Sequence, residues 1–287
     1  MKIIQGDQIK ATKRIGYSDN SITYMTESGS VLKVFQPIVH LFYEAAGTSL
    51  ANKITSARPI KNVPEIVVPT AAVYNGRTFI GYLTDFVSGQ NYNEFDNNLS
   101  LQDRVDLNMY ANMHHKLEDI VKRGNKEGII FPDLCSCDNI IITRDGNMKI
   151  IDYDGLQVKQ HRSICLSSSL GNQEQYMTPK YGKNFLFNPN LDKKSLMNLY
   201  FLSTFNINLE TIGLYNPYTR RTVTVDEIFN TIGLEDDTIK HKVWKCFQPD
   251  QENDFLGDDV YRVAEQYKMS IMPQTIGGAY LKKLRKK

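Results

Sequence analysis

The 287-residue sequence has few cysteines, no long apolar run and no excess of charge of one sign. Four cysteines in a chain of this length do not form a disulfide framework, and Cys135 and Cys137 lack the second pair that a zinc site needs. No apolar run approaches the length of a membrane span, and the N-terminal MKIIQGDQIK has no apolar core long enough for a secretory signal. We therefore expect a soluble, cytoplasmic protein with reduced thiols.

Charge and composition exclude further classes. The chain has 34 basic and 32 acidic residues and a formal net charge of +2, so it lacks the broad cationic field that nucleic-acid-binding proteins usually show. The basic cluster at residues 282–287 is typical of a solvated tail, with contact to an anionic partner as the alternative. A hydrophobic content of 41% allows a substantial core, either in one large domain or in two close-packed lobes.

The first third of the chain has the pattern of a small sheet. Residues 21–26 and 31–35 alternate around a turn at Gly29, and a second hairpin is expected across Asn75 and Gly76. Apolar residues between positions 39 and 54 have loosely helical spacing. These features predict a β-rich lobe that carries one main helix.

The pattern changes after residue 87. Apolar residues recur at helical spacing over residues 101–121, and Gly124 is a plausible end of that helix. Further helices are predicted at residues 194–205, from about residue 224, at residues 238–247 and at residues 258–267. We therefore expect an α+β chain with an N-terminal lobe at 1–87 and a larger, mostly helical lobe at 88–287.

Three oxygen-bearing side chains lie around a predicted hairpin at residues 129–156. Asp133 precedes a strand that begins after Asn139, the turn is Asp145-Gly146, and the second strand ends at Asp152. Two strands joined by a tight turn bring their far ends together, so Asp133, Asn139 and Asp152 are expected to converge. Carboxylate and amide oxygens suit Mg²⁺, which predicts a metal-assisted phosphoryl-transfer site.

This order of features resembles the eukaryotic-type protein kinase superfamily, whose fold has a small β-rich lobe with one main helix and a larger helical lobe. Residues 15–24 are similar to the glycine-rich loop that covers the nucleotide. Gly16 is retained, Ser18 and Ser21 stand at the other two glycine positions, and Thr23 stands at the valine position. The resemblance implies that these four residues contact ATP.

The resemblance extends to the rest of the nucleotide site. Lys33 corresponds to the strand lysine that binds the α- and β-phosphates. Glu44 corresponds to the helix acid that pairs with this lysine, with a solvated helix acid as the alternative. The stretch Thr84, Asp85 and Val87 resembles the hinge that holds the adenine, with Thr84 at the back of the pocket.

Asp133 resembles the catalytic-loop aspartate, which orients the attacking hydroxyl. Phe131 and Pro132 stand where the family has His and Arg. Asn139 lies six residues after Asp133 where the family has five, so either Asn139 or Asp138 would hold the second Mg²⁺. Asn139 is favoured because it leads directly into the apolar strand.

Asp152-Tyr-Asp-Gly155 resembles Asp-Phe-Gly with one inserted residue, which assigns Asp152 as a Mg²⁺ ligand. Residues 170–181 resemble the end of an activation segment, with Lys180 in place of the usual glutamate. Asp192 resembles the aspartate at the start of the helix that braces the catalytic loop.

The resemblance implies an ATP- and Mg²⁺-dependent phosphotransferase, with Asp133, Lys33, Asn139 and Asp152 as its catalytic residues and Ser or Thr hydroxyls of a protein as acceptors. One alternative is a pseudokinase that acts as a nucleotide-binding or interaction scaffold, because the loop glycines and the His-Arg pair are missing. Another is a small-molecule kinase of the aminoglycoside or choline type, to which Asp-Tyr-Asp is similar. The expected partners are ATP and a protein substrate or binding partner, without nucleic acid.

Overall fold

A computed structural model of the chain describes the following residues: 1–45, 49–92, 94–95, 107–134, 137–163, 177–178, 186–205, 209, 215–216, 221–222, 224–232 and 236–248. The chain forms two compact units. The first comprises residues 1–92, 120–168 and 177–188, and the second comprises residues 93–119, 169–176 and 189–287. The class is α+β, with a β-rich N-terminal sheet followed by most of the helices. The lobe boundary at residue 87 stays a prediction.

Six strands form the N-terminal sheet. They are β1 (Lys2–Gln5), β2 (Ala11–Tyr17), β3 (Ser21–Thr26), β4 (Ser30–Phe35), β5 (Ala71–Asn75) and β6 (Thr78–Asp85), in the spatial order β1-β5-β6-β4-β3-β2. Both predicted hairpins are confirmed, and their turns contain Gly29 at φ 79° and Gly76 at φ 59°, a backbone region that favours glycine. Leu32, Val73 and Leu83 lie in the apolar core of this sheet.

Two helices lie between β4 and β5: α1 (Pro37–Ala45) and α2 (Leu50–Ser56). The sequence predicted a single helical patch over residues 39–54. The Ser49 side chain accepts a hydrogen bond from the Asn52 amide at 3.2 Å, which caps a separate second helix. The buried residues of α2 are Leu50, Ile54 and, unexpectedly, Lys53.

The hairpin predicted around Asp145 and Gly146 is confirmed. Strands β7 (Gly89–Asn91), β9 (Ile140–Thr143) and β10 (Met148–Ile150) form a three-stranded antiparallel sheet in the order β10-β9-β7. Gly146 adopts φ 73° in the turn. Strand β8 (Ile129–Ile130) pairs with β11 (Gln157–Val158), which brings the start and the end of this region together.

The sequence predicts that helix α3 ends at Gly124. In the structure α3 (Leu107–Lys126) continues past this glycine. A Cβ at position 124 would lie 2.5 Å from Cε2 of Phe131, a ring that is 1% exposed. Gly124 therefore allows the helix to pack against the segment before Asp133. The turn after the helix uses Gly128 instead, at φ 76°.

The described helices of the second unit beyond α3 are α4 (Asn190–Phe205), α5 (Val225–Ile232) and α6 (Asp237–Cys246). Helix α5 begins with reciprocal hydrogen bonds between Thr224 and Glu227, each at 3.1 Å. Phe201 and Phe229 pack with ring centroids 5.7 Å apart. The predicted helices at 194–205, 224 and 238–247 are confirmed within a few residues, and the one at 258–267 lies outside the described residues. None of the described helices is both long and apolar enough to cross a membrane.

The described residues also form three short two-stranded sheets. Strand β8 pairs with β11 as stated, β12 (Met177–Thr178) pairs with β13 (Leu186–Phe187), and β14 (Tyr215–Asn216) pairs with β15 (Arg221–Thr222). Gln157 in β11 links the first of these to β13, because its side chain donates to the Phe187 carbonyl at 3.0 Å and accepts from the Phe187 amide at 2.7 Å.

A buried histidine makes the second unit sensitive to acid. His114 is fully buried and stacks on Tyr200 at 4.5 Å, and the Tyr200 hydroxyl donates to Glu118 at 3.1 Å. Burial, with a smaller contribution from His115, lowers the pKa of His114 from 6.5 to about 3. The folded imidazole therefore stays neutral over a pH range in which the unfolded one is charged.

We predict that His114→Phe removes one component of acid unfolding. Between pH 6.5 and 3 the unfolded state binds one more proton at His114, so the free energy of unfolding falls with falling pH by about 1.4 kcal/mol per pH unit from this group. Urea denaturation at pH 4 to 6 should show a slope shallower by that amount in His114→Phe. The exposed His115→Gln is the control, and equal slopes in the wild type and His114→Phe would contradict the prediction.

Candidate functional site

Lys33 lies on an interior strand of the N-terminal sheet and contacts the end of the hairpin. Its Cα is opposite Thr23 of β3 and Tyr82 of β6. The ammonium contacts Asp152 Oδ1 and lies 2.9 and 3.1 Å from the two carboxylate oxygens of Asp154. Gly81 of β6 makes the strand spacing possible, because a Cβ there would overlap the Lys33 carbonyl oxygen. One lysine thus joins two acids that are more than a hundred residues away in sequence.

Asp152 has a strained backbone. It adopts φ 70° and ψ 54°, a left-handed conformation that costs a non-glycine residue roughly 1 to 3 kcal/mol. A short 3₁₀ turn, Tyr153–Gly155, follows it and is closed by the Gly155 amide donating to the Asp152 carbonyl at 2.9 Å. A Cβ at position 155 would lie 2.9 Å from Asp152 Oδ2, so only glycine leaves space beside that carboxylate.

Asp154, the residue that interrupts the Asp-Phe-Gly pattern, is a second member of the site. The Tyr82 hydroxyl donates to Asp154 Oδ1 at 2.6 Å, and Lys33 contacts both oxygens. The side chains of Lys33 and Asp154 are only 14% and 12% exposed. These contacts are charge-assisted and poorly screened by water, which makes them strong hydrogen bonds.

Lys33, Asp152 and Asp154 form an ion cluster in which the pKa of each group shifts differently. Burial, followed by the charge of Asp154, raises the pKa of Asp152 to about 6, although Lys33 opposes this. Burial also disfavours ionised Asp154, but Lys33 and the Tyr82 hydrogen bond outweigh it and hold the pKa of Asp154 below its ordinary value. Burial alone would lower the pKa of Lys33, yet the two carboxylates raise it above its ordinary value. Lys33 is therefore a permanent cation, and Asp152 is the acid that takes up a proton first.

Donors from α1 and α2 hold the backbone of this turn. Lys53, 1% exposed, donates to the carbonyls of Asp154 at 2.6 Å and Leu156, and at 3.3 Å to that of Arg162. The Tyr43 hydroxyl donates to the Asp154 carbonyl at 3.0 Å. Burial lowers the pKa of Lys53 to about 7, with partial compensation by Asp154 and Asp152. The strained Asp152 backbone is thus held by neighbours on two helices.

Asp133 and Asn139 lie at the same end of the hairpin as Asp152. The Ile151 amide donates to the Asn139 carbonyl at 2.9 Å, which places Asn139 opposite Ile151. The Asn139 side-chain amide donates to Asp133 Oδ2 at 3.2 Å. Both residues are half-buried, whereas Asp138 is exposed. The convergence of Asn139 with Asp133 and with the Asp152 end of β10 is thus confirmed.

The donor set fits Mg²⁺. Among the described residues no group of three or more His, Cys, Asp or Glu side chains forms a protein-only metal site. Mg²⁺ does not require one, because it commonly binds one or two protein carboxylates and completes its shell with water and phosphate oxygens. Asp152 offers a carboxylate with clear space at Gly155, and Asn139 offers an amide oxygen while its amide nitrogen is held by Asp133. Asp138 is exposed one residue before Asn139.

The residues predicted to cover the nucleotide form the β2–β3 hairpin. Gly16 is opposite Thr23, and a Cβ on Gly16 would make an ordinary 3.4 Å contact with Thr23. The turn is closed by serines: the Ser18 amide donates to the Ser21 carbonyl at 2.9 Å, and the Ser21 amide donates to Ser18 Oγ at 3.1 Å. This turn therefore does not depend on the glycines that the family has at positions 18 and 21.

The predicted pairing of Lys33 with Glu44 is wrong in this structure. Glu44 is exposed on α1, and Lys33 pairs with Asp152 and Asp154 instead. Asp154 approaches Lys33 from the turn after the hairpin, so the lysine has acidic partners without a helix glutamate.

The predicted hinge lies at the end of β6. Thr84 is half-buried and shares the face of β6 with Tyr82, because side chains two apart in a strand point the same way. Its hydroxyl donates to the Asp85 carbonyl at 3.1 Å. Asp85 is exposed and Val87 is half-buried, between β6 and β7.

Some predicted features lie outside the described residues. These include Cys135, Lys180 and most of the segment at residues 170–181 that resembles the end of an activation segment. The described part of that segment is Met177–Thr178, a strand that pairs with Leu186–Phe187. Cys137 is buried, and Asp192 is buried at the start of α4. Phe131 is buried, in contact distance of Gly124, and so is Pro132.

Sequence reasoning missed three members of the cluster: Asp154, Tyr82 and Lys53. Asp154 carried a signal, since it is a second acid two residues after Asp152. Tyr82 and Lys53 carried none, because a strand tyrosine and a helix lysine are usually surface or core residues without a special role.

No family model matches the chain, and no curated protein matches it.

We predict that Tyr82→Phe destabilises the protein. The variant removes a buried hydrogen bond to a charged group, which is worth roughly 1.5 to 3 kcal/mol. Urea denaturation should show a loss of that size. Tyr17→Phe is the matched control, because Tyr17 is 67% exposed, and it should change stability by less than about 0.5 kcal/mol. Equal stability of the two variants would show that Tyr82 does not hold Asp154.

Proposed function

We propose that the chain is an ATP- and Mg²⁺-dependent phosphotransferase with a protein-kinase-like fold, acting on Ser or Thr hydroxyls of a protein. The observation that carries the proposal is the contact of Lys33, on an interior strand, with Asp152 at the end of an apolar hairpin. In phosphoryl-transfer enzymes of this kind a strand lysine and such an aspartate act on the same phosphates. The α+β order of a β-rich sheet followed by helices supports the same assignment.

Lys33 supplies the fixed positive charge. Its ammonium is held on a rigid strand and stays protonated, since the two carboxylates raise its pKa. A preorganised cation of this kind stabilises negative charge on phosphate oxygens without reorganisation during the reaction. The pairing with Asp154 holds the lysine in place from the side of Tyr82.

Asp133 is the acceptor for the proton of the attacking hydroxyl. It is a half-buried carboxylate, and the amide nitrogen of Asn139 donates to its Oδ2 at 3.2 Å. This hydrogen bond orients the carboxylate for contact with a substrate hydroxyl. The buried Phe131 and Pro132 fix the backbone before it by packing, where the family has a polar pair.

Asp152 and Asn139 are the residues that would hold Mg²⁺. The bound ion would neutralise charge on the phosphoryl group being transferred. The strain at Asp152 is consistent with this role, because backbone strain persists where surrounding contacts hold a functional side chain in position.

A nucleotide-binding scaffold without turnover is the second candidate. The observation that favours it is the serine-closed turn at Ser18 and Ser21, which replaces the glycines that allow a loop to approach phosphates closely. A small-molecule kinase is the third candidate, because Asp154 gives the chain the Asp-Tyr-Asp motif and a buried role for its second acid.

We predict Mg²⁺-dependent ATP turnover or autophosphorylation by the purified chain, measured by phosphate release and by intact mass. Asp152→Ala should lower the rate by about 100-fold or more, since it removes the main carboxylate of the site. Asp7→Ala, at an exposed position near the N-terminus, is the control. Mg²⁺-dependent stabilisation by ATP without turnover would favour the scaffold, and no response to ATP at all would contradict both.

A second prediction separates the two candidate metal ligands. Asn139→Ala should lower turnover by about 10-fold or more, because it removes both the amide oxygen and the hydrogen bond to Asp133. Asp138→Ala should retain most of the activity, because Asp138 is exposed. The reverse order of effects would assign the metal to Asp138.

A further inference from the structure

A cleft of about 330 Å³ lies in the first unit, apart from the Lys33 cluster. Its walls come from the end of α2 and the loop after it, from the turn after α3, and from residues 158–161, and Tyr153 also lines it. The volume is at the lower end of the range of small-molecule sites. No residue of the proposed catalytic set lines it.

The lining carries an excess of positive charge. Its basic side chains are Arg58, Lys61 and Lys159, and Glu127 is the single carboxylate among the described lining residues. The Glu127 carboxylate already accepts a hydrogen bond from the Asn62 side chain. The cleft therefore favours an anion.

Tyr153 adds a hydrogen-bond donor to the lining. The residue is 3% exposed, lines the cleft, and makes no side-chain hydrogen bond within the described part of the chain. A hydroxyl that has no partner among the described residues and lies at the edge of a cationic cleft is a ready hydrogen-bond donor to a ligand.

Arg58 is held in place beside it. Its Nη1 donates to the carbonyls of Thr55 at 3.1 Å and Ala57 at 2.7 Å, and Nη2 makes no hydrogen bond within the described residues. The guanidinium is thereby fixed by one nitrogen and presents the other. A planar, preorganised guanidinium matches the oxygens of a phosphate better than a flexible lysine does.

One wall of the cleft is fixed as well. Ser56 Oγ lies 3.1 Å from Nε2 of His161 and donates to the Lys53 carbonyl at 3.0 Å. Lys159 adopts φ 53° and its amide donates to the Gly128 carbonyl at 2.7 Å. The site is therefore bounded by residues that make defined contacts.

We propose that this cleft binds a small phosphomonoester, with Arg58, Lys61 and Lys159 neutralising the phosphate and the Tyr153 hydroxyl donating to it. The cleft is larger than a phosphate group, which leaves room for a small organic part. The proposal does not depend on turnover at Lys33 and Asp152. Tyr153 is flanked by Asp152 and Asp154, so a ligand at its hydroxyl contacts the turn that carries both acids.

The test is isothermal titration of the full chain with inorganic phosphate and with glycerol 3-phosphate, at pH 7.5 and moderate salt. We expect saturable binding with a Kd of about 1 mM or below. Arg58→Gln combined with Lys159→Gln should weaken it by about 10-fold or more. The control is Lys2→Gln combined with Lys13→Gln, which removes the same charge from exposed positions outside the cleft and should change the Kd by less than about twofold.

Tyr153→Phe provides an independent variant that retains the buried ring. It should weaken binding by about threefold or more, through loss of one hydrogen bond. Lys61→Gln, in an exposed loop, replaces the double variant if circular dichroism shows that the latter is unfolded. Absence of saturable binding up to about 20 mM phosphate, or equal weakening by the cleft and control pairs, would overturn the proposal.

Discussion

The ion cluster of Lys33 with Asp152 and Asp154 is the interaction on which the rest of this site depends. It joins an interior strand of the N-terminal sheet to the turn after a hairpin, and both carboxylates contact the same ammonium. Charged groups this poorly exposed are stable only when each has partners, and here the Tyr82 hydroxyl completes the set. Removal of Lys33 would leave two poorly exposed carboxylates without their cation, so this lysine couples the local fold to the chemistry that we propose for the site.

Contacts beside the cluster hold the left-handed backbone of Asp152 and the turn that follows it. Asp152 adopts a left-handed backbone because Lys53 and Tyr43 hold the carbonyl of Asp154, and Gly155 leaves space for the Asp152 carboxylate. Lys53 is a buried lysine on α2 whose Nζ donates to backbone carbonyls rather than to an acidic side chain. The turn is thus specified by tertiary contacts from two helices, and its strain is compensated by them.

Much of the local fold could be predicted, because it depends on short-range patterns. Alternation and turn glycines located the hairpins at Gly29, Gly76 and Gly146, and strand register then brought Asn139 toward the end of β10. Gly124 was misread as a helix end, because its contact with Phe131 is tertiary and leaves no local signal. Glu44 was misassigned for a similar reason: a helix acid at the right spacing cannot be distinguished from a solvated one by sequence. Lys33 pairs instead with Asp152 and Asp154, and Asp154 lies 121 residues further along the chain.

We propose that the cluster of Lys33, Asp152 and Asp154 is a site for ATP with Mg²⁺. The most direct measurement is equilibrium binding of ATP to the full chain with and without Mg²⁺, compared with Lys33→Met, which keeps the length of the side chain and removes its charge. We expect saturable, Mg²⁺-dependent binding that Lys33→Met weakens by about 10-fold or more. Binding that is independent of Mg²⁺, or equal in the wild type and Lys33→Met, would contradict it.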